Sequence, residues 1–268
     1  MNLTKNQILR YSRQIILKEV GGIGQKKLMN SEITLIGLGA LGSPVAYYLA
    51  AAGIGKLKIV DYDLVELSNL HRQILHFTTD IGKLKTESAI EKLNKLNPDC
   101  EVVLINKIIN SSNSKQLLKD SDFIIEGSDN LPTKMLINDT CISLEKPFTI
   151  AGVLRYQGQL MTVIPKEKTS CYRCVFGDIT HNDEAMSCSQ AGVIGFVPGI
   201  FGCIEANEAI KYILNIGELI TNKILYIDLL KNSFDFINVH RNNECIACGD
   251  NHKDLVELMD YGVDNVCH

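Results

Sequence analysis

The part of the sequence that most constrains the fold is residues 33–55, which carry no charged side chain. An apolar run of this length could form a membrane-spanning helix. It is interrupted, however, by residues that suit turns and helix ends, among them Gly37, Gly39, Gly42, Pro44 and Gly53. No second apolar span accompanies it. We therefore predict a buried strand at 32–37 and a helix at 40–52 in place of a membrane anchor.

The turn between this strand and this helix has the pattern G-x-G-x-x-G, with glycines at 37, 39 and 42 and Ala40 between them. Glycines here let backbone N–H groups approach phosphate groups at a helix N-terminus, where the helix dipole favours anions. Asp61 ends the next predicted strand, where an acidic residue can bind ribose hydroxyl groups. The pattern predicts a nucleotide site; a glycine-rich packing turn is the alternative.

Strands and helices alternate through the first half of the chain. We predict helices at 4–20, 40–52, 82–96, 114–119 and 131–144, and strands at 32–37, 56–61, 101–105, 122–126 and 148–151. This alternation is typical of a parallel sheet with helices on both faces. Further strands at 158–164, 224–228 and 233–240 surround a long helix at 196–216, and the last two strands form an antiparallel pair.

These elements predict an α/β, Rossmann-like fold, in which antiparallel strands of the C-terminal half extend a mainly parallel sheet. The sequence has no internal repeat and no linker-like segment. We therefore expect one domain over residues 1–268, with a nucleotide-binding half (1–152), a second half (153–250) and a tail (251–268).

Charged residues after Asp61 distinguish two kinds of nucleotide enzyme. A dehydrogenase does not need Arg72 just beyond its ribose carboxylate, whereas an enzyme that reacts at phosphorus uses Arg and Lys to stabilise negative charge. Lys85 is a second such candidate, and Asp129 follows a strand end where it could hold Mg²⁺. Asp129 or Asn130 could instead cap the helix at 131–144, and one residue can cap while the other binds.

The overall charge argues against one class of partner, although a local basic patch is compatible with a balanced total. The 268 residues have a formal net charge of −4, whereas a protein that binds nucleic acid through a basic surface needs a strong positive excess. The first residues are polar and lack the apolar core of a secretion signal. We therefore expect no nucleic-acid partner, no membrane association and a cytoplasmic location.

Four of the nine cysteines form two Cys-x-x-Cys pairs, Cys171 with Cys174 and Cys245 with Cys248. Two such pairs are typical of a tetrahedral zinc site with four thiolate ligands. The long separation between the pairs indicates a structural clamp between distant parts of the chain. Free thiols or a redox-active pair are the alternative.

Together these segments resemble the MoeB/ThiF family of sulfur-carrier adenylyltransferases, bacterial relatives of ubiquitin-activating enzymes. The matching pieces keep the family order over nearly the whole chain: residues 10–15 (Arg-Tyr-Ser-Arg-Gln-Ile), the glycine loop, Asp61, residues 68–73, Lys85, Asp129 with Asn130, and both cysteine pairs. Two positions depart from the pattern. Ala40 stands where many members have glycine, and His71 stands where some have glutamine.

The resemblance implies that the chain uses ATP to adenylate the C-terminal carboxylate of a ubiquitin-like sulfur carrier ending in Gly-Gly. Residues 153–250 would then bind the carrier and the structural zinc. The implied nucleotide-binding residues are Gly37, Gly39, Ala40, Gly42, Asp61, Asp63, Ser68, Asn69, Leu70, His71, Arg72, Lys85, Asp129 and Asn130.

The same resemblance implies catalytic roles. Asn69, Arg72 and Lys85 would contact the phosphates, and Asp129 would act through Mg²⁺. Arg13 would reach into the site of a partner subunit, which requires a homodimer. In one branch of the family a cysteine at the position of Cys188 forms a covalent link to the carrier, while other members carry one without an established need. Both possibilities stay open.

The tail after Cys248 is too short for a rhodanese-like domain, so we expect a separate protein to supply the sulfur. Molybdopterin, thiamine-thiazole and tRNA thiolation pathways all use this chemistry. Two alternative functions remain at this point. One is an NAD-dependent oxidoreductase, which leaves Arg72 unexplained. The other is a non-catalytic partner subunit, which would have lost Arg72, Lys85 or Asp129.

Overall fold

A single eight-stranded sheet runs through both halves of the chain. The computed structural model describes residues 3–177, 192–250 and 258–260. The strands are β1 (Glu32–Ile36), β2 (Lys56–Val60), β3 (Glu101–Ile105), β4 (Phe123–Glu126), β5 (Phe148–Leu154), β6 (Gln157–Val163), β7 (Lys223–Asp228) and β8 (Ser233–Asn238). Their order across the sheet is β3-β2-β1-β4-β5-β6-β7-β8.

The sheet has a parallel part and an antiparallel part. Strands β3, β2, β1, β4 and β5 pair in parallel, and β5 to β8 pair antiparallel. This confirms the expected mainly parallel sheet with an antiparallel extension. The chain leaves β1 towards β2 and β3 and returns to β4 on the other side of β1. Such a reversal opens a crevice at the carboxyl ends of the strands, where open α/β sheets bind ligands.

Helices cover both faces of the sheet. They are α1 (Lys5–Arg10), α2 (Ser12–Ile15), α3 (Gly21–Met29), α4 (Gly42–Ala52), α5 (Lys85–Leu96), α6 (Ser114–Leu118), α7 (Leu131–Ser143), α8 (Tyr172–Phe176) and α9 (Phe196–Leu214). In β4, Phe123 and Ile125 pack with α4, α5 and α9, whereas Ile124 packs with α6, α7 and α8. This alternation follows from the two-residue period of a strand.

The N-terminal region differs from the prediction in two ways. The expected helix at 4–20 is broken into α1 and α2 at Tyr11, whose ring is buried. The Tyr11 hydroxyl donates to Asp99 Oδ2 (3.2 Å) and accepts from Asn97 Nδ2 (2.8 Å). Helix α3 was not predicted, because its glycines have low helix propensity; burial of Leu28 in the core stabilises it.

Smaller differences concern the ends of elements. Helix α5 begins at Lys85 and not at 82, because Gly82 has a φ of +87°, which a right-handed helix does not contain. Strand β5 continues to Leu154 before a short turn into β6, and the short helix α8 was not predicted. Among the described residues, no helix combines the length and apolarity that crossing a bilayer would take.

Candidate active site and metal centre

The glycine loop lies at the carboxyl ends of β1 and β4. Gly37 has a φ of +83°, and a Cβ on it would lie 2.9 Å from Gly127 O. A Cβ on Gly42 would lie 2.1 Å from Gly37 O, so both glycines permit close backbone packing. Gly39 differs, because the nearest atom to its Cβ position is Gln73 Nε2 at 3.8 Å. The Gly39 side of the loop therefore leaves room for a ligand.

Asp61 connects the end of β2 to this loop. Its side chain is buried, with 8% exposed. It accepts hydrogen bonds from the N–H groups of Leu38 (2.6 Å) and Asp63 (2.8 Å). Burial raises the pKa of the Asp61 carboxyl, although the positive charge of Lys85 opposes this. The carboxylate is therefore held next to the glycine loop, as expected of a residue that binds ribose.

Lys85 is a buried cation at the same edge of the sheet. It is 6% exposed, and its Nζ donates to Asp63 Oδ2 at 2.7 Å. As the first residue of α5, Lys85 lies at the positive end of a helix dipole, where a cation is unfavourable. The Lys85 ammonium therefore lies where the helix dipole disfavours it, close to the crevice at the strand ends. A charged group in such an unfavourable position indicates a functional role.

Residues 66–73 form the loop that carries Arg72. Its Nη1 donates to Ser68 O (2.8 Å) and lies 2.8 Å from His71 Nε2. Asn69 is buried and accepts from Glu66 N–H at 3.2 Å. In the described part of the chain no carboxylate pairs with Arg72, so its charge is available to an anionic ligand.

Asp129 and Asn130 have different roles at the end of β4. Asn130 caps α7, because its Oδ1 accepts from Thr133 N–H at 2.9 Å. Asp129 remains exposed. Its charge, with those of Asp63 and Asp61, adds to the effect of burial in raising the pKa of the Tyr62 hydroxyl. The Asp129 carboxylate thus lies on the same side of the sheet as the loop after β2.

Two buried polar residues near this edge were not in the predicted site. Lys134 Nζ donates to Glu126, to Ser128 O (2.8 Å) and to Ala151 O (2.7 Å), which uses all three donors of the ammonium group. In the sequence, the signal that could have identified Lys134 is a lysine in the second turn of a helix that is otherwise mostly apolar. Gln73 is buried beside the glycine loop, and its Oε1 has no partner among the described residues.

Arg13 is not part of this cluster. Arg13 is exposed on α2 and makes no hydrogen bond to the edge residues within the described ranges. Cys188 lies outside the described residues. Leu70, which the resemblance also implied, is half-buried in the Arg72 loop. The single chain therefore brings together the glycine loop, Asp61, Asp63, Arg72, Lys85 and Asp129 at one edge.

The two cysteine pairs meet where α8 approaches the segment after β8. The four Sγ atoms of Cys171, Cys174, Cys245 and Cys248 lie within 4.8 Å of one another. The separations are 3.8 Å for 171–174, 3.7 Å for 171–245 and 3.4 Å for 174–248. Tetrahedral zinc with Zn–S bonds of about 2.3 Å requires S···S separations of about 3.8 Å. The cluster therefore fits a zinc ion.

Hydrogen bonds and an ion pair connect this cluster to α7. Arg173, between the first two cysteines, pairs with Asp139 through Nε and Nη2, both at 2.8 Å. The Tyr172 N–H donates to Asn138 Oδ1 at 2.9 Å. The cysteine cluster is thus connected to the helix whose N-terminus carries Asn130.

Comparisons with known proteins agree with this geometry. The model of the ThiF family matches residues 11–247. The SAMP-activating enzyme E1 of Haloferax volcanii is 38% identical over 97% of this chain and 96% of its own length. The sulfur carrier protein adenylyltransferase of Thermus thermophilus is 38% identical over 97% of both chains. The adenylyltransferase and sulfurtransferase MOCS3 of Xenopus laevis is 41% identical, and the match spans 57% of its length.

Solved structures with the same fold include MccB from E. coli. One MccB structure superposes with a TM-score of 0.80 at 27% identity, covering 94% of this chain and 75% of that one. A structure of MccB with ATP has a TM-score of 0.78 at 26% identity, covering 89% and 74%. The fold described above is therefore one that binds ATP in a similar protein.

Proposed function

Because the chain belongs to the ThiF family, we propose that it uses ATP to adenylate the C-terminal glycine carboxylate of a ubiquitin-like sulfur-carrier protein. The observation that carries this proposal is the buried ammonium group of Lys85, 2.7 Å from Asp63 beside the glycine loop. Hydride transfer builds up no charge on phosphate oxygens, so it gives such a cation no catalytic role, whereas reaction at phosphorus does. The relatives named as adenylyltransferases support the same reaction.

In the proposed reaction, an oxygen of the carrier's C-terminal carboxylate attacks the α-phosphorus of ATP. The bond between that phosphorus and the bridging oxygen breaks, and the electron pair leaves with pyrophosphate. The carboxylate needs no general base, since it is already ionised at neutral pH. Catalysis then consists mainly of positioning the two substrates and stabilising charge on phosphate oxygens.

The residues at the carboxyl ends of the parallel strands have different roles in this reaction. Asp61 and the glycine loop hold the ribose and the phosphates, while Arg72 and Lys85 stabilise the charge that grows during attack. The exposed Asp129 carboxylate would hold Mg²⁺, which supplies further charge neutralisation on the phosphates. Zinc at the four cysteines would be structural, because four thiolates leave no open coordination position.

We expect pyrophosphate–ATP exchange when the protein is supplied with Mg²⁺ and a matching carrier that ends in Gly-Gly. A panel of such carriers would identify the pathway, among molybdopterin, thiamine and tRNA thiolation. Removing a single charge-stabilising group should reduce the exchange rate by about 10²–10³-fold. The variants to test are Arg72→Ala, Lys85→Ala and Asp129→Ala.

The matched control is Lys95→Ala, which removes an exposed lysine from the same helix, where it pairs with Glu91. That variant should retain full exchange. If Lys85→Ala and Lys95→Ala behave alike, Lys85 has no role in the reaction. If the wild-type protein binds ATP but supports no exchange with any carrier, the non-catalytic partner subunit becomes the better explanation.

We further propose that the active form is a homodimer in which Arg13 acts on the partner subunit's site. Arg13 is exposed, and the segments on either side of it in the sequence carry large apolar side chains that are also exposed: Ile8, Leu9, Ile16, Leu17 and Ile23. An exposed apolar patch of this kind supports a protein–protein interface. A separate protein would supply the sulfur after adenylation.

Mixing Arg13→Ala protein with Asp129→Ala protein tests this arrangement. If Arg13 acts across the interface, each mixed dimer contains one intact site, and random exchange of subunits should restore roughly a quarter of wild-type activity. Subunit exchange can be verified independently by energy transfer between labelled subunits. No recovery in a verified mixture would show that Arg13 does not act in trans.

A further inference from the structure

His76 is a buried side chain that contacts the glycine loop, and neither the sequence motifs nor the proposed reaction uses it. It is 3% exposed. Its Nε2 lies 3.2 Å from Leu38 O, and its Nδ1 lies 2.9 Å from Ser88 Oγ on α5. The imidazole ring therefore connects α5 to the loop between β1 and α4.

The partners of the ring determine which nitrogen carries the proton. A carbonyl oxygen only accepts hydrogen bonds, so Nε2 must carry the hydrogen that faces Leu38. Nδ1 must then accept from the Ser88 hydroxyl. Lys92 Nζ donates to the same Ser88 Oγ at 2.7 Å, so the Ser88 hydroxyl hydrogen is left for an acceptor. The two acceptors beside it are His76 Nδ1 and the Asp80 carboxylate, and the assignment of Nε2–H on His76 gives Nδ1 the accepting role. Lys92 is itself paired with Asp80.

A series of hydrogen bonds therefore runs from Lys92 through Ser88 and His76 to the backbone of the glycine loop. The last of these bonds fixes the direction of the Leu38 carbonyl. In a trans peptide the C=O and the following N–H point in opposite directions. The Gly39 N–H is therefore directed away from His76, and none of the hydrogen bonds in the described residues uses it.

The preceding peptide is fixed as well, because Leu38 N–H donates to Asp61. Both peptide groups next to Leu38 thus have a defined orientation before any ligand binds. Gly39 also faces open space, with no atom within 3.8 Å of its Cβ position except Gln73 Nε2 at that distance. A donor that is oriented in advance, and that has no hydrogen-bond partner among the described residues, is what a phosphate oxygen requires.

We propose that His76 is a positioning residue, which holds the Leu38–Gly39 peptide so that the Gly39 N–H binds a phosphate group of the nucleotide. The identification of the anion as part of ATP rests on the proposed function. The positively charged groups near the ring, Lys85 and Lys92, disfavour an imidazolium, and Asp80 is paired with Lys92. Burial lowers the pKa of His76 to about 4, in agreement with a neutral ring.

Two substitutions of His76 distinguish positioning from simple packing. In His76→Gln the amide nitrogen can occupy the place of Nε2 and still donate to Leu38 O. In His76→Asn the amide reaches only the place of Nδ1. We expect His76→Asn to raise the Kd for ATP roughly tenfold, and His76→Gln to stay within about threefold of wild type.

The exchange assay provides a second readout. Since His76 orients a binding group and touches no reacting atom, His76→Asn should raise the KM for ATP while kcat at saturating ATP changes little. A matched pair of serine variants controls for the loss of a buried hydrogen bond. Ser88→Ala should weaken ATP binding, whereas Ser121→Ala should not, because the Ser121 hydroxyl bonds Thr34 and has no bond to the glycine loop among the described residues.

Nitrogen NMR tests the proton position without ATP. Wild-type protein should show a protonated Nε2 and an unprotonated Nδ1 on His76, unchanged between about pH 5 and 8. A protonated Nδ1, or equal ATP affinities of the Asn and Gln variants, would overturn the inference. If the wild-type protein binds no ATP, the proposed function fails, and the NMR result still decides whether His76 orients this peptide.

Discussion

The protonation state of one residue, His76, links the stability of this protein to pH. The ordinary pKa of 6.5 falls to about 4 in the folded chain, because burial disfavours the charged ring and the nearby Lys85 and Lys92 add to this effect. The unfolded chain therefore binds the proton more strongly than the folded one. Proton binding then favours unfolding as the pH falls.

The stabilising effect of a neutral His76 should be complete above about pH 6.5 and should decline towards about pH 4. At 1.36 kcal/mol per pH unit, the full loss is about 3 kcal/mol. Urea unfolding of wild type and His76→Gln over this pH range measures it. The stability advantage of wild type should shrink as the pH falls, and a difference that does not change with pH would contradict the prediction.

Residue-scale patterns in the sequence indicated part of the site. The glycine loop, Asp61, Arg72 and Lys85 were recognisable, because phosphate chemistry needs those residue types at strand ends. His76 and Lys134 were not. Their roles depend on which backbone carbonyl or side chain each one meets in space, and the spacing along the sequence carries no information about that.

At the scale of elements, helix α7 is joined to the sheet by a buried ion pair. Lys134 bonds Glu126 at the end of β4 and the carbonyls of Ser128 and Ala151. The pair lies under the loop that carries Asp129. Removing one member leaves an uncompensated charge in the core, which costs about 3–5 kcal/mol.

We therefore expect Lys134→Met to lower the free energy of unfolding by about 3–5 kcal/mol. The double variant Lys134→Met with Glu126→Gln should regain much of this loss, because no unpaired charge remains. Chemical denaturation of the single and double variants measures both effects. Additive losses in the double variant would show that the two side chains are not energetically coupled.

Prediction of elements succeeded where apolar periodicity was strong and failed where tertiary contacts decide. The five parallel strands and α4 follow from apolar runs and glycine turns. Helix α3 contains glycines that oppose helix formation, and tertiary contacts stabilise it: Leu28 packs against the core, and Gln25 Nε2 donates to Ala52 O at 3.1 Å. The break between α1 and α2 follows from the burial of Tyr11, a contact with Asn97 and Asp99 that no local pattern predicts.

At the scale of the whole molecule, the cysteine cluster joins α8 to the segment after β8. Substituting one ligand should release the metal and loosen both segments. We expect Cys245→Ser to lower stability by about 3 kcal/mol, or about 6–12 °C in Tm. Metal content and thermal unfolding measure this change.

The control for that experiment is Cys203→Ser, which changes an exposed cysteine of α9 outside the cluster. It should retain the metal and the wild-type Tm. If Cys245→Ser also keeps both, the four thiols do not hold a structural ion.

The separation of the two cysteine pairs also sets an order of events during synthesis. Cys248 lies 74 residues after Cys174, and a ribosome adds about 5–20 residues per second. The first pair therefore emerges about 4–15 s before its partners. By then the five parallel strands and the nucleotide edge have already been made. If the cluster binds zinc as proposed, metal uptake is a late event in the synthesis of each chain, and a chain made without zinc would have its nucleotide-binding residues in place before its two cysteine pairs are joined.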